Sequence, residues 1–135
     1  MSESRIQQSF VQAMRYRESV DSRYEIIAIP NEGKRTFATA SRMKSEGLRA
    51  GVWDLLLLTP CHGYGGLWLE TKSEKGTLSE SQKDFWERNK YKYQFSVYRN
   101  ASEGIEAVER YLKDGAGNYV GGSGVKSKLK NIKNV

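Results

Sequence analysis

Three residues near the middle of the chain, Asp54, Glu70 and Lys72, are of the types that manage a divalent cation and a water molecule. Two carboxylates repel each other when they converge, and a cation relieves that repulsion. Mg2+ takes one or two carboxylates and completes its shell with water and phosphate oxygens. A lysine beside such a pair can orient or deprotonate an attacking water, or stabilise charge developing on a phosphate. For the three to act together, the chain must bring residue 54 next to residues 70 to 72.

The sequence between them supplies the means. Residues 55 to 58 are an unbroken leucine run, and residues 67 to 72 read LWLETK. Both are of strand length, and the Pro- and Gly-containing stretch 59 to 66 reads as a hairpin loop. A strand of leucines suits the centre of a mixed sheet, buried on both faces. Alternation puts Trp68, Glu70 and Lys72 on one face and Leu67, Leu69 and Thr71 on the other. Antiparallel pairing would then set Asp54, at the start of the first strand, beside the Glu70 and Lys72 end of the second. Charges at the edge of an apolar sheet are costly without partners. An E-x-K pattern alone is equally well explained by a solvated cross-strand pair. The aspartate shortly after a glycine, the hairpin and the glutamine-bearing helix that follows make the combination more specific.

The remaining elements frame this centre. Ile6, Phe10, Val11 and Met14 have helical spacing within residues 3 to 17, with Ser2 or Ser4 as cap. Residues 24 to 29 are rich in β-formers and end at Pro30, giving a first strand. Residues 31 to 35, NEGKR, form a polar basic turn. Thr36 can cap a helix that runs to about Glu46 and stops at Gly47, with Phe37, Ala40 and Met43 inward. Gly51 permits a close backbone approach near Asp54. Ser79 and Gln82 match a capping box, and Phe85 and Trp86 follow, Trp86 as core. Residues 93 to 99 are a last strand. Ser102 caps a final helix with Ile105, Val108, Tyr111 and Leu112 inward. The order is helix, strand, helix, two strands, helix, strand, helix: an α/β protein with a small mixed central sheet flanked by helices.

In these motifs the sequence resembles the PD-(D/E)xK nuclease superfamily, and within it the VRR-NUC type. The resemblance rests on residues 29 to 33 (IPNEG), 47 to 54 (GLRAGVWD), 69 to 72 (LETK), and Leu78-Ser79 with Gln82. It spans roughly residues 3 to 113. It implies a restriction-endonuclease-like fold and metal-dependent cleavage of DNA. It assigns Asp54, Glu70 and the Thr71 carbonyl to Mg2+ or Mn2+, and Lys72 to the water. It also places Gln82 and a first-helix glutamate, best matched by Glu3, beside the site. Gln82 has a competing role as the cap of its own helix, and one side chain is not expected to do both. Glu3 equally suits a helix N-terminus, where an acid is favoured. Lys34, Arg35, Arg42, Lys44, Arg49 and Lys75 are the candidates for contacts to nucleic acid, with solvated surface charge as the alternative for each.

Composition sets the outer bounds. The 135 residues suit one domain, read as residues 1 to 114, followed by a Gly-rich and Lys-rich tail at 115 to 135. The net charge is +6, and the tail holds Lys126, Lys128, Lys130 and Lys133 without an acid. That balance fits a polyanionic partner such as DNA. No apolar stretch approaches the ~20 residues that span a bilayer, and no signal pattern opens the chain. The expected location is therefore cytoplasmic, with no membrane partner and no small-molecule cofactor. With one cysteine and one histidine, Cys61-His62 lacks the three or four ligands of a zinc site. Trp53, Tyr64, Trp68, Tyr91 and Tyr93 are more aromatics than so small a core requires. They are candidate anchors for a homodimer, which would pair two active sites on a branched or four-way DNA junction. The alternative is a non-catalytic nucleic-acid-binding module on the same fold, accessory to a partner.

Overall fold

A computed structural model describes residues 1–30 and 36–121. Its elements are α1 (Glu3–Glu18), a 3-10 turn (Ser22–Tyr24), β1 (Ile26–Ala28), α2 (Phe37–Ser45), β2 (Leu55–Leu57), β3 (Leu67–Thr71), α3 (Glu80–Asn89), β4 (Gln94–Tyr98) and α4 (Ala101–Asp114). The strands form one sheet in the order β1-β2-β3-β4. The first two pairings are antiparallel and β3 pairs with β4 in parallel, α3 making the crossover. The sheet is therefore mixed, small and flanked by helices, as expected. Among the described residues no helix is long and apolar enough to cross a membrane.

Two cores lie on the two faces of the sheet. Ile6, Phe10 and Met14 of α1 and Val108 and Tyr111 of α4 pack against Leu55, Leu57, Leu67 and Leu69. The other face carries Trp53, Trp68, Phe85, Trp86 and Phe95. Alternation along β3 sends Leu67, Leu69 and Thr71 to the first face and Trp68, Glu70 and Lys72 to the second. A Cβ at Gly104 of α4 would lie 2.5 Å from the Phe10 ring, so α1 and α4 cross closely only because that position is bare.

Several expectations are corrected. The first strand is shorter, since Asp21 accepts from the Arg23 N–H at 3.0 Å and winds residues 22 to 24 into a 3-10 turn. Phe37 does not face inward: it is 90% exposed, and α2 buries no residue. Thr36 does cap that helix, accepting from the Thr39 N–H. Leu58 lies beyond β2, where the pairing with β1 has ended, and is exposed. Asn100, not Ser102, caps α4, accepting from the Glu103 N–H at 2.9 Å. Trp53 and Trp68 are buried in this chain's own core and are not free to anchor a partner, whereas Tyr91 is exposed.

The start of the expected linker is also built into the fold. Gly115 ends α4 in the left-handed conformation. Asn118 then docks on β4, where its side chain accepts from the Val97 N–H at 2.8 Å and donates to the Val97 carbonyl at 2.9 Å. Tyr119 donates its N–H to the Phe95 carbonyl and sets its ring edge-on to Trp53 and Trp86, with centroids 5.5 and 5.1 Å away. The four tail lysines lie outside the described residues.

Candidate active site

The β2–β3 pairing decides the site. Leu55 opposes Leu69, so the residue before β2 meets the end of β3. Asp54 donates its backbone N–H to Glu70 Oε1 at 3.0 Å, and its carboxylate Oδ2 accepts from the Thr71 N–H at 3.0 Å. The two acids are thus stitched together through backbone donors and held at fixed positions where β2 begins and β3 ends. They line an open cleft of about 580 Å³ together with Glu3, Gln7, Lys72 and Gln82.

Lys72 stands beside Glu70, its Nζ 3.3 Å from Oε2. Gln82 joins both: its Nε2 donates to Glu70 Oε2 at 2.7 Å, and its Oε1 accepts from Lys72 Nζ at 3.2 Å. The same Oε1 accepts from the Ser79 N–H at 2.9 Å, while the Ser79 hydroxyl accepts from the Gln82 N–H. The expectation that cap and site would exclude each other is therefore corrected. A carbonyl oxygen has two lone pairs, and the capping box pins Gln82 at the end of α3 that faces Glu70. Gly51, with φ +82°, permits this approach: a Cβ there would collide with the Ser81 carbonyl. The close approach expected at Gly51 is thus to the backbone of α3.

Glu3 reaches the rim from α1. Its Oε2 accepts from the Ser73 N–H at 3.2 Å, tying the loop after β3 to the first helix. One turn on, Gln7 Oε1 accepts from the Thr71 hydroxyl at 3.1 Å. The same Thr71 hydroxyl is hydrogen-bonded to the buried Tyr98 hydroxyl at 2.6 Å. Burial pushes the Tyr98 phenol well above its ordinary range, which keeps it protonated.

Electrostatics mark the pair as strained without a counter-charge. Burial first, then the neighbouring Asp54 charge, push the Glu70 carboxyl from 4.5 up to about 7, despite Lys72 and the donors around it. Burial likewise raises Asp54, against the pull of the Thr71 N–H and Lys72. Among the described residues no group of three or more His, Cys, Asp or Glu side chains gathers into an all-protein metal cage. The donor set fits a hard divalent cation nonetheless. Mg2+ needs only one or two carboxylates and retains water and substrate oxygens for the rest of its shell.

The sequence-derived set thus divides. Asp54, Glu70, Lys72, Gln82 and Glu3 converge on the cleft. Of the basic candidates, Arg42 and Lys44 are exposed on α2, Arg49 in the loop after it and Lys75 in the loop after β3, and none lines the cleft. Lys34 and Arg35 lie outside the described residues. Sequence reasoning missed Arg99, whose Nη1 donates to the Ser73 and Gly76 carbonyls at 2.6 and 2.8 Å. It also missed Tyr98 behind Thr71. Both depend on the parallel β3–β4 register, for which no local sequence signal exists. Gln7, four residues after Glu3, was traceable from helical spacing alone.

No family model and no curated protein matches this sequence. A solved structure described as a VRR_NUC domain protein shares the fold, with a TM-score of 0.67 over 87% of this chain and 93% of that chain at 22% identity.

Proposed function

We propose that the protein is a Mg2+- or Mn2+-dependent endonuclease that hydrolyses phosphodiester bonds in DNA. One observation carries this reading: two carboxylates, the half-buried Asp54 and the buried Glu70, are stitched together at a cleft with the Lys72 ammonium 3.3 Å from Glu70. The shared fold with a VRR_NUC domain protein supports it.

Asp54 and Glu70 would hold the cation, with the Thr71 carbonyl as a third donor. In an extended strand the N–H and C=O of one residue point to the same side. The Thr71 N–H is directed at Asp54, so its carbonyl belongs to the same edge. A divalent ion bound there supplies charge stabilisation for the phosphate and a water that is more easily deprotonated. Lys72 orients the attacking water, and Gln82 holds both Lys72 and Glu70 in register. Glu3 and Gln7 fix the β3 end from α1.

We further read the enzyme as structure-selective for branched or four-way DNA in replication or repair, acting as a homodimer. Each site cuts one strand, and a twofold pair supplies two sites in fixed relation. Cleavage of labelled flap, junction, nicked and linear DNA in Mg2+, Mn2+ and EDTA tests the reading. Metal-dependent cutting that favours branched forms, by a protein that scatters light as a dimer at micromolar concentration, is expected. Binding without cutting in any metal would make it an accessory nucleic-acid-binding module.

A further inference from the structure

Beyond the cleft lies a second pocket of about 250 Å³, separated from it by a wall of Lys72, Thr77 and Leu78 that lines both. Its far side brings in Lys83 of α3 and Arg99, and its floor is Val97 and Tyr119. No carboxylate lines it. The Arg99 guanidinium is half-buried and fixed, with Nη1 held by the carbonyls of Ser73 and Gly76. Those partners are neutral, and among the described residues no acid forms an ion pair with Arg99. Lys83 meets Glu80 at 3.3 Å, but that glutamate is 88% exposed on the solvent side. A partly desolvated, preorganised cation with only neutral partners favours an anion.

We propose that this pocket binds the phosphodiester next to the one being cut, on the same strand, with its sugar or base against Leu78, Val97 and Tyr119. The proposal rests on the nuclease reading and names a further contact on the substrate. The pocket, of about 250 Å³, is smaller than drug-sized sites, which start at roughly 300 Å³, and admits one base at most. Where the base rather than the sugar enters, the strand is unpaired at that nucleotide. Arg99 and Lys83 hold the phosphate, while Tyr119, docked against Trp53 and Trp86, offers an aromatic surface.

The test is binding of a short, fluorescently labelled single-stranded DNA in EDTA, followed by anisotropy at several salt concentrations. Lys83 is exposed, so Lys83→Gln leaves the fold intact. That variant is expected to bind about fivefold more weakly, with the slope of log K against log salt reduced by about 0.7, the share of one single-strand phosphate. A scan of single neutral methylphosphonates should find one position that weakens the wild type and leaves Lys83→Gln unaffected. Unchanged affinity and slope in Lys83→Gln, or a methylphosphonate profile identical in both proteins, overturns the assignment. Displacement of the strand by submillimolar orthophosphate does so too, since the pocket would then be a free-phosphate site. Cleavage in Mg2+ is read separately. The expected binding pattern in a protein that cuts nothing retains the pocket and removes the nuclease.

Discussion

Glu70 is where chemistry and stability meet. Its carboxyl titrates near 7 in the folded protein and near 4.5 in the unfolded chain. Between those values the folded state keeps a proton that the unfolded state has released, so stability falls as pH rises through the window. At 1.36 kcal/mol per pKa unit the loss is on the order of 3 kcal/mol, and Asp54, raised by burial, adds in the same direction. Thermal melts in EDTA should therefore drop from pH 5 to pH 8, and Glu70→Gln should flatten the drop. Mg2+ favours the ionised pair, so its stabilising increment should grow across the same range. On the proposed reading Lys72 acts at a different step. Lys72→Ala is expected to keep metal affinity while single-turnover cleavage falls by 10²-fold or more, the usual scale for loss of a proton-handling group. Metal affinity that collapses together with the rate would make Lys72 a structural partner of Glu70. Asp54, Glu70 and Lys72 were legible in the sequence because strand alternation and one hairpin suffice to bring them together. The dual bonding of Gln82 was not, because a capping pattern says nothing about what lies within reach of its oxygen.

Elements were legible wherever the sequence carries a local signal: apolar spacing in α1 and α4, the leucine run of β2, the Ser79 box of α3. Errors fell where tertiary contacts decide. Phe37 fits an inward helical position by pattern, yet α2 buries no residue among those described. Residues 115 to 119 read as linker by their glycines, yet the Asn118 amide satisfies both backbone groups of Val97 on β4. Tyr119 then packs on the aromatic core against Trp53 and Trp86. The two halves of the tail should consequently behave differently. Removing residues 122 to 135 should leave the melting temperature within a degree or two and lower the salt slope of DNA binding. Removing 115 to 135 exposes the β4 edge and part of the Trp53 cluster, at a cost of roughly 2–4 kcal/mol for one large half-buried aromatic and the hydrogen bonds lost with it. Denaturant melts of the two truncations should separate them clearly, and equal midpoints would show that the Asn118–Tyr119 docking is incidental.

At the scale of the whole molecule, the sheet is a frame for one end of its two middle strands. Helices α1 and α4 cover one face and α3 covers the other; α1 sends Glu3 and Gln7, and α3 sends Gln82, to the end of β3. The mixed α/β architecture was legible from element order, while the strand order and the basic pocket beyond Lys72 required the folded chain. The central claim is that Asp54 and Glu70 exist to hold a cation that makes phosphodiester hydrolysis possible. It is tested most directly by cleavage of labelled branched DNA under single-turnover conditions, comparing wild type and Glu70→Gln in Mg2+ and in EDTA. Glu70→Gln preserves size, removes one negative charge and keeps one of the two acceptor oxygens that the donors around Glu70 use. The expected result is cutting by the wild type in Mg2+ alone, and none by Glu70→Gln, which remains folded and still binds DNA. Cutting that survives EDTA, or a Glu70→Gln protein that cuts at the wild-type rate, would contradict the claim.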